Sequence, residues 1–83
     1  MYERLIKNNI NYLNKHLTRG FLETKNIYVD DNESDIITNL IKNNWKDLYN
    51  KNYSNTFNTL KKNVKKETYE KLLSLYLTTI RKY

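Results

Sequence analysis

Apolar residues recur along most of this chain at helical rather than strand spacing. Ile6, Ile10, Leu13 and Leu17 step by four, three and four, with Tyr2 one turn earlier. Such a row lies along one side of a helix. Gly20, the chain's one glycine, follows that row. A glycine just past a periodic run is the expected left-handed residue ending a helix, with Phe21 or Leu22 making the accompanying apolar contact. The spacing predicts a first helix over 2–18. Residues 21–33 break the period, and Ile27 and Val29 alternate around Tyr28. An isolated strand is marginal, so this stretch reads as a loop pinned to the core by Ile27 and Val29.

Ile37, Leu40, Ile41, Trp45, Leu48 and Tyr49 form the next apolar row, on a helix over 34–50. Asn32 or Ser34 can cap it, and Glu33 and Asp35 suit its N-terminal dipole. Ser54 can cap a helix carrying Phe57, Leu60 and Val64, which runs over 54–66. Tyr69, Leu72, Leu73, Tyr76, Leu77 and Ile80 form the last row, over 68–82, with Thr68 as its cap. The two final rows are out of phase by about one residue. A break near 65–68 is therefore favoured over one kinked helix. The expected fold class is all-α, a small three- to four-helix bundle within one domain spanning 1–83. Trp45, mid-row and the largest side chain, is the expected centre.

Composition narrows the chemistry. Eighty-three residues form one small domain that buries roughly 60–65% of its unfolded surface, with a stability on the order of 4–12 kcal/mol. There is no cysteine, no proline and a single histidine, His16. Disulfides, zinc-finger spacings, thiol nucleophiles, multi-histidine metal sites and Gly-rich phosphate loops are excluded. No apolar run reaches the 18 residues of a membrane span, and the N-terminal segment lacks the apolar core of a signal peptide. The expected location is cytoplasmic, in a bacterial host.

Asparagine occurs 14 times, lysine 12 and tyrosine 8, while alanine and glutamine are absent. The abundant types share A/T-rich codons, so AT-rich coding of the kind common in phages, plasmids and low-GC bacteria accounts for much of the bias. The net charge of +6 is partly a product of that coding. Its distribution is more informative. Residues 1–41 carry five basic against six acidic side chains, net −1; residues 42–83 carry ten against three, net +7. On the helix over 54–66, Lys61, Lys62, Lys65 and Lys66 share one face, opposite Phe57, Leu60 and Val64. With Lys71, Arg81 and Lys82 they form the candidate contact set for nucleic acid or an acidic partner. Lysine acts on phosphate as a point charge, so contacts would be to the backbone of DNA or RNA with little sequence preference.

Other clusters carry less. Asp30, Asn32 and Ser34 match the first oxygen ligands of a calcium-binding EF-hand loop. Asp35 stands where glycine is required and Ile41 where a bidentate Glu is required, so the loop reads as an acidic cap. His16 has no carboxylate or nucleophile at helical spacing, and residues 54–66 and 68–82 make a weak helix-turn-helix pair. Tyr28 and Tyr53, with Asp30, Asp31 and Glu33, are candidates for a protein-docking surface. No catalytic residue, metal or cofactor is expected. The composite expectation is a non-enzymatic binding module. It would be a phage or mobile-element protein that inhibits or regulates a host protein or nucleoprotein complex. The alternatives are a basic nucleic-acid-binding protein or transcriptional regulator and, more weakly, a bacteriocin-immunity-type bundle.

Overall fold

The computed structural model describes residues 2–80, with side-chain surroundings for 7–79. Five helices and no strand are found among the described residues: α1 Tyr2–Asn11, α2 Lys15–Thr24, α3 Asp31–Tyr49, α4 Ser54–Asn63 and α5 Lys66–Ile80. The fold is thus an all-α bundle, with one helix more than the pattern implies. None of these helices is long and apolar enough to cross a membrane.

The extra helix comes from the first apolar row. The chain leaves helical geometry after Asn11 and restarts at Lys15. Asn14, extended at φ −139° and ψ 174°, accepts the Leu17 amide at 2.9 Å through its side chain. An asparagine cap satisfies an amide left free at a helix start, and here it outcompetes helix continuation. Gly20 is therefore not a helix stop. It lies inside α2, without a positive φ, and a Cβ there would meet nothing within 4 Å. The left-handed residue that ends α2 is Asn26, at φ 61°. Asn26 N donates to Glu23 O at 3.0 Å and Ile27 N to Leu22 O at 2.9 Å. This paired closure places Ile27 over Leu22, and both are buried. Val29 is buried beside them in the core, so the loop is anchored by Ile27 and Val29.

α3 starts three residues earlier than its spacing implies. Asp30, rather than Asn32 or Ser34, is the cap, and its side chain accepts the Glu33 amide at 2.7 Å. Asn44 leaves helical geometry at φ −128° and ψ 15°, and its amide donates to Leu40 O at 2.9 Å. A side chain that takes a carbonyl from the helix ladder bends the helix there. Trp45 follows this kink and stays half-buried. The core aromatic is Phe57, 8% exposed. Lys51 closes α3 at φ 65°, in the same paired arrangement as Asn26.

At the C-terminal end the expected break is present but shifted. α4 ends at Asn63, Val64 is extended (φ −128°, ψ 167°), and α5 begins at Lys66. Ser54 is the first residue of α4 rather than its cap. Thr68 is likewise inside α5 and buried.

The core is Leu22, Ile27, Val29, Ile37, Phe57, Leu60 and Leu72. An aromatic cluster joins α4 to α5: Phe57 meets Tyr53, Tyr69 and Tyr76 with ring centroids 5.4 to 6.2 Å apart. The Tyr76 hydroxyl donates to Leu48 O at 2.6 Å and ties α5 to the last turn of α3. Burial, and secondarily the neighbouring Tyr53, push this phenol above its ordinary pKa. α2 meets α3 through a polar seam instead. Thr18 and Thr38 share a hydroxyl hydrogen bond at 2.6 Å, Thr38 donates to Ser34 O, and fully buried Ser34 donates to Lys15 O. Small side chains let the two helices approach closely while every seam hydroxyl finds a partner.

Two substitutions test this assignment. Gly20→Ala should stabilise the protein by about 0.5–1 kcal/mol, because the site is helical with open space for a methyl group. Lys51→Gly should stabilise by a similar amount, about 0.5–1 kcal/mol, by relieving a left-handed lysine. Urea unfolding reads both. If Gly20 ended a helix in the left-handed conformation, its alanine variant would lose stability instead.

Candidate interaction surfaces

The lysine set does not lie on one helix face. Lys61 and Lys62 occupy the last turn of α4, where cations suit the dipole. Lys65 and Lys66 lie beyond extended Val64, at the start of α5, where the dipole disfavours them. The four therefore straddle a helix junction. All four are exposed, as is Lys71. Lys61 Nζ sits 5.9 Å from the Tyr69 ring centroid, and Lys71 pairs with Glu67 at 3.0 Å. Arg81 and Lys82 lie outside the described residues.

A buried carboxylate holds this junction. Glu33, 4% exposed, stands on the first turn of α3, and its Oε2 accepts the backbone amide of Lys65 at 3.0 Å. The usual role of such a glutamate is to reach back to the start of its own helix. Here it serves the start of α5, across 32 residues of sequence. Its Oε1 is buried with no hydrogen-bond partner. Glu33 is thus removed from the docking surface expected for it.

The remaining docking candidates divide. Tyr53 is packed against Phe57 and Tyr76, so it belongs to the edge of the core. Tyr28 is 69% exposed in the loop before α3. Asp30 is exposed but engaged as the cap. Asp31 accepts from Arg19 at 3.1 Å, and Arg19 also lies 3.6 Å from Glu23. These exposed pairs contribute little to stability. His16 is exposed in the first turn of α2, not near a helix C-terminus. Among the described residues no group of three or more His, Cys, Asp or Glu is placed to hold a metal.

The structure adds a surface that spacing concealed. Leu17 and Phe21, each 55% exposed, stand one turn apart on α2, and Lys25 Nζ lies 5.8 Å from the Phe21 ring centroid. Thr18 and Leu22 take the buried face of the same helix. Tyr12, 78% exposed, lies in the link before it. The α1–α2 break rotates α2 away from the row that Leu13 and Leu17 share in a continuous helix. Asn14, an asparagine inside an otherwise apolar period, is the signal that marks this change.

Comparison with protein-family models, with curated sequences and with solved structures finds no match to this chain.

Glu33 provides a direct test of the junction. Glu33→Ala should cost about 1–3 kcal/mol, since it strands the Lys65 amide. Glu33→Gln keeps a carbonyl acceptor and should stay within about 1 kcal/mol of the parent. Denaturant unfolding of the two variants separates a hydrogen-bonding role from a charge role.

Proposed function

We propose that this chain is a non-enzymatic binding module that docks on a protein through the outer face of α2. The observation that carries the reading is the pair Leu17 and Phe21, more than half exposed at helical spacing on a helix whose other face is buried. Adjacent exposed apolar side chains on a helix offer contact area of the kind that protein interfaces bury. Tyr12 and Tyr28 supply amphipathic contact area of the same kind. The AT-rich coding favours a phage or other mobile element as the source, and a host protein or nucleoprotein complex as the partner.

A second reading rests on a separate observation, the exposed lysines 61, 62, 65 and 66 around one helix junction. They fit phosphate contacts made without base readout.

The two readings separate in one experiment. The tagged chain is used to capture partners from bacterial lysate, with and without nuclease. The Leu17→Ser/Phe21→Ser variant should lose a nuclease-resistant protein partner by at least about tenfold. The Lys61/Lys62/Lys65/Lys66→Ser variant should retain it. Under the second reading, the parent binds duplex DNA. With about four phosphates neutralised, its affinity falls on the order of a hundredfold between 50 and 200 mM salt, and the lysine variant abolishes binding. Capture that survives the α2 variant unchanged overturns the first reading.

A further inference from the structure

The exposed side of α2 carries residues whose sizes alternate. Leu17, Gly20, Phe21 and Thr24 follow one another along it, while Thr18 and Leu22 take the buried side. Residues three and four apart share one side of a helix. Their order is large, small, large, small. Leu17 and Phe21 are each 55% exposed. Gly20 is the chain's one glycine, and a Cβ there would meet nothing within 4 Å. The fold therefore does not require a glycine, although glycine is a costlier choice than alanine inside a helix. Its missing side chain leaves a notch beside Phe21 on the outside of the molecule. Thr24 donates its hydroxyl to Phe21 O at 2.5 Å, so it can enter an apolar contact with no donor left unpaired.

We propose that this face docks on a second copy of the same chain, with the two α2 helices antiparallel about a two-fold axis between Gly20 and Phe21. The order of sizes selects the partner. A two-fold contact pairs one surface with itself, so residues meet in reversed order. Reversal turns large, small, large, small into small, large, small, large. Phe21 of each copy then fills the notch at Gly20 of the other, and Leu17 meets Thr24. A parallel pairing sets large against large and leaves the notch empty. Charge complementarity points the same way. Glu23, the one acidic residue of α2, comes alongside Lys15 and His16 of the other copy. Arg19 is already paired with Asp31 and Glu23 of its own chain. Residues 1–41 carry net −1 and residues 42–83 net +7. Two copies joined through α2 thus meet at the half without excess positive charge, and the lysine junction, built on α4 and α5, stays out of the contact. This inference rests on the reading of the α2 face as a protein-docking surface and names its occupant where no other protein is present.

Sedimentation equilibrium of the purified full chain, up to about 1 mM, should report a mass twice that of one chain. Gly20→Leu adds apolar surface to the face yet fills the notch. It should weaken pairing at least about tenfold with an unchanged circular-dichroism spectrum. Thr24→Leu, at the other small position, serves if that variant does not fold. Leu17→Ser/Phe21→Ser should be monomeric, and Lys61/Lys62/Lys65/Lys66→Ser should pair as the parent does. Disulfide trapping reads the orientation, since the chain has no cysteine of its own. A mixture of the Leu17→Cys and Thr24→Cys chains should give the mixed disulfide in preference to either like pair. The proposal is overturned by a single-chain mass throughout. It is equally overturned by a folded notch-filling variant that pairs as tightly as the parent, or by like pairs dominating the trapped product. Capture of a host protein through Leu17 and Phe21 by a chain that stays monomeric overturns self-pairing alone. A paired chain that captures nothing from lysate supports self-pairing and removes the host partner instead.

Discussion

The first turn of α3 fastens two ends of the molecule at once. Ser34, with no exposed surface, donates to Lys15 O and holds the start of α2. Its neighbour Glu33 accepts the Lys65 amide and holds the start of α5. The Lys65 amide is one of the donors that a helix start leaves free, whereas Lys15 offers its carbonyl oxygen to the serine hydroxyl. Apolar burial alone would not fix these orientations, because it is non-directional. Two adjacent polar residues therefore bind α3 to the starts of α2 and α5. The orphaned Oε1 of Glu33 shows that the arrangement is not fully satisfied. A buried polar oxygen without a partner carries a desolvation cost.

Much of this fold is legible in the chain, and the exceptions share a cause. Apolar spacing locates the helices because burial requires one stripe per helix, and Ile37, Phe57, Leu60 and Leu72 are buried as that rule demands. The phase slip near 65 marks the α4–α5 break. Spacing does not reveal where side chains end a helix early or late. Asn14, Asn26, Asp30 and Asn44 each act through a local hydrogen bond or a left-handed turn. In a chain with 14 asparagines, no single one stands out. The same ambiguity hides the exposed row on α2, since a continuous first helix turns Leu17 inward. Glu33 was unreadable for a different reason: its partner is 32 residues away, a separation that no local pattern encodes.

The charge asymmetry takes a specific form in three dimensions. Four lysines gather around an extended residue between two helices rather than along one ridge. Lys65 and Lys66 add positive charge at the N-terminal end of α5, which is already positive in potential. The side chain of Glu33 reaches this junction from α3 and accepts the Lys65 amide, and Glu67 supplies an acidic side chain in the first turn of α5. The cationic region and the exposed apolar row of α2 are built on different helices, so each can be altered without rewriting the other.

The reach of Glu33 also bears on how the chain acquires its shape. The amide just before α5 finds its side-chain acceptor only after the opening turn of α3 has formed and come alongside. A segment comprising α4 and α5 alone lacks that acceptor, along with the Leu48 carbonyl that receives Tyr76. Assembly of the C-terminal hairpin is thereby made conditional on the middle of the chain. The loop-closure entropy of bringing these distant residues together must be met before the contact can contribute. These two hydrogen bonds fasten the α4–α5 hairpin to α3.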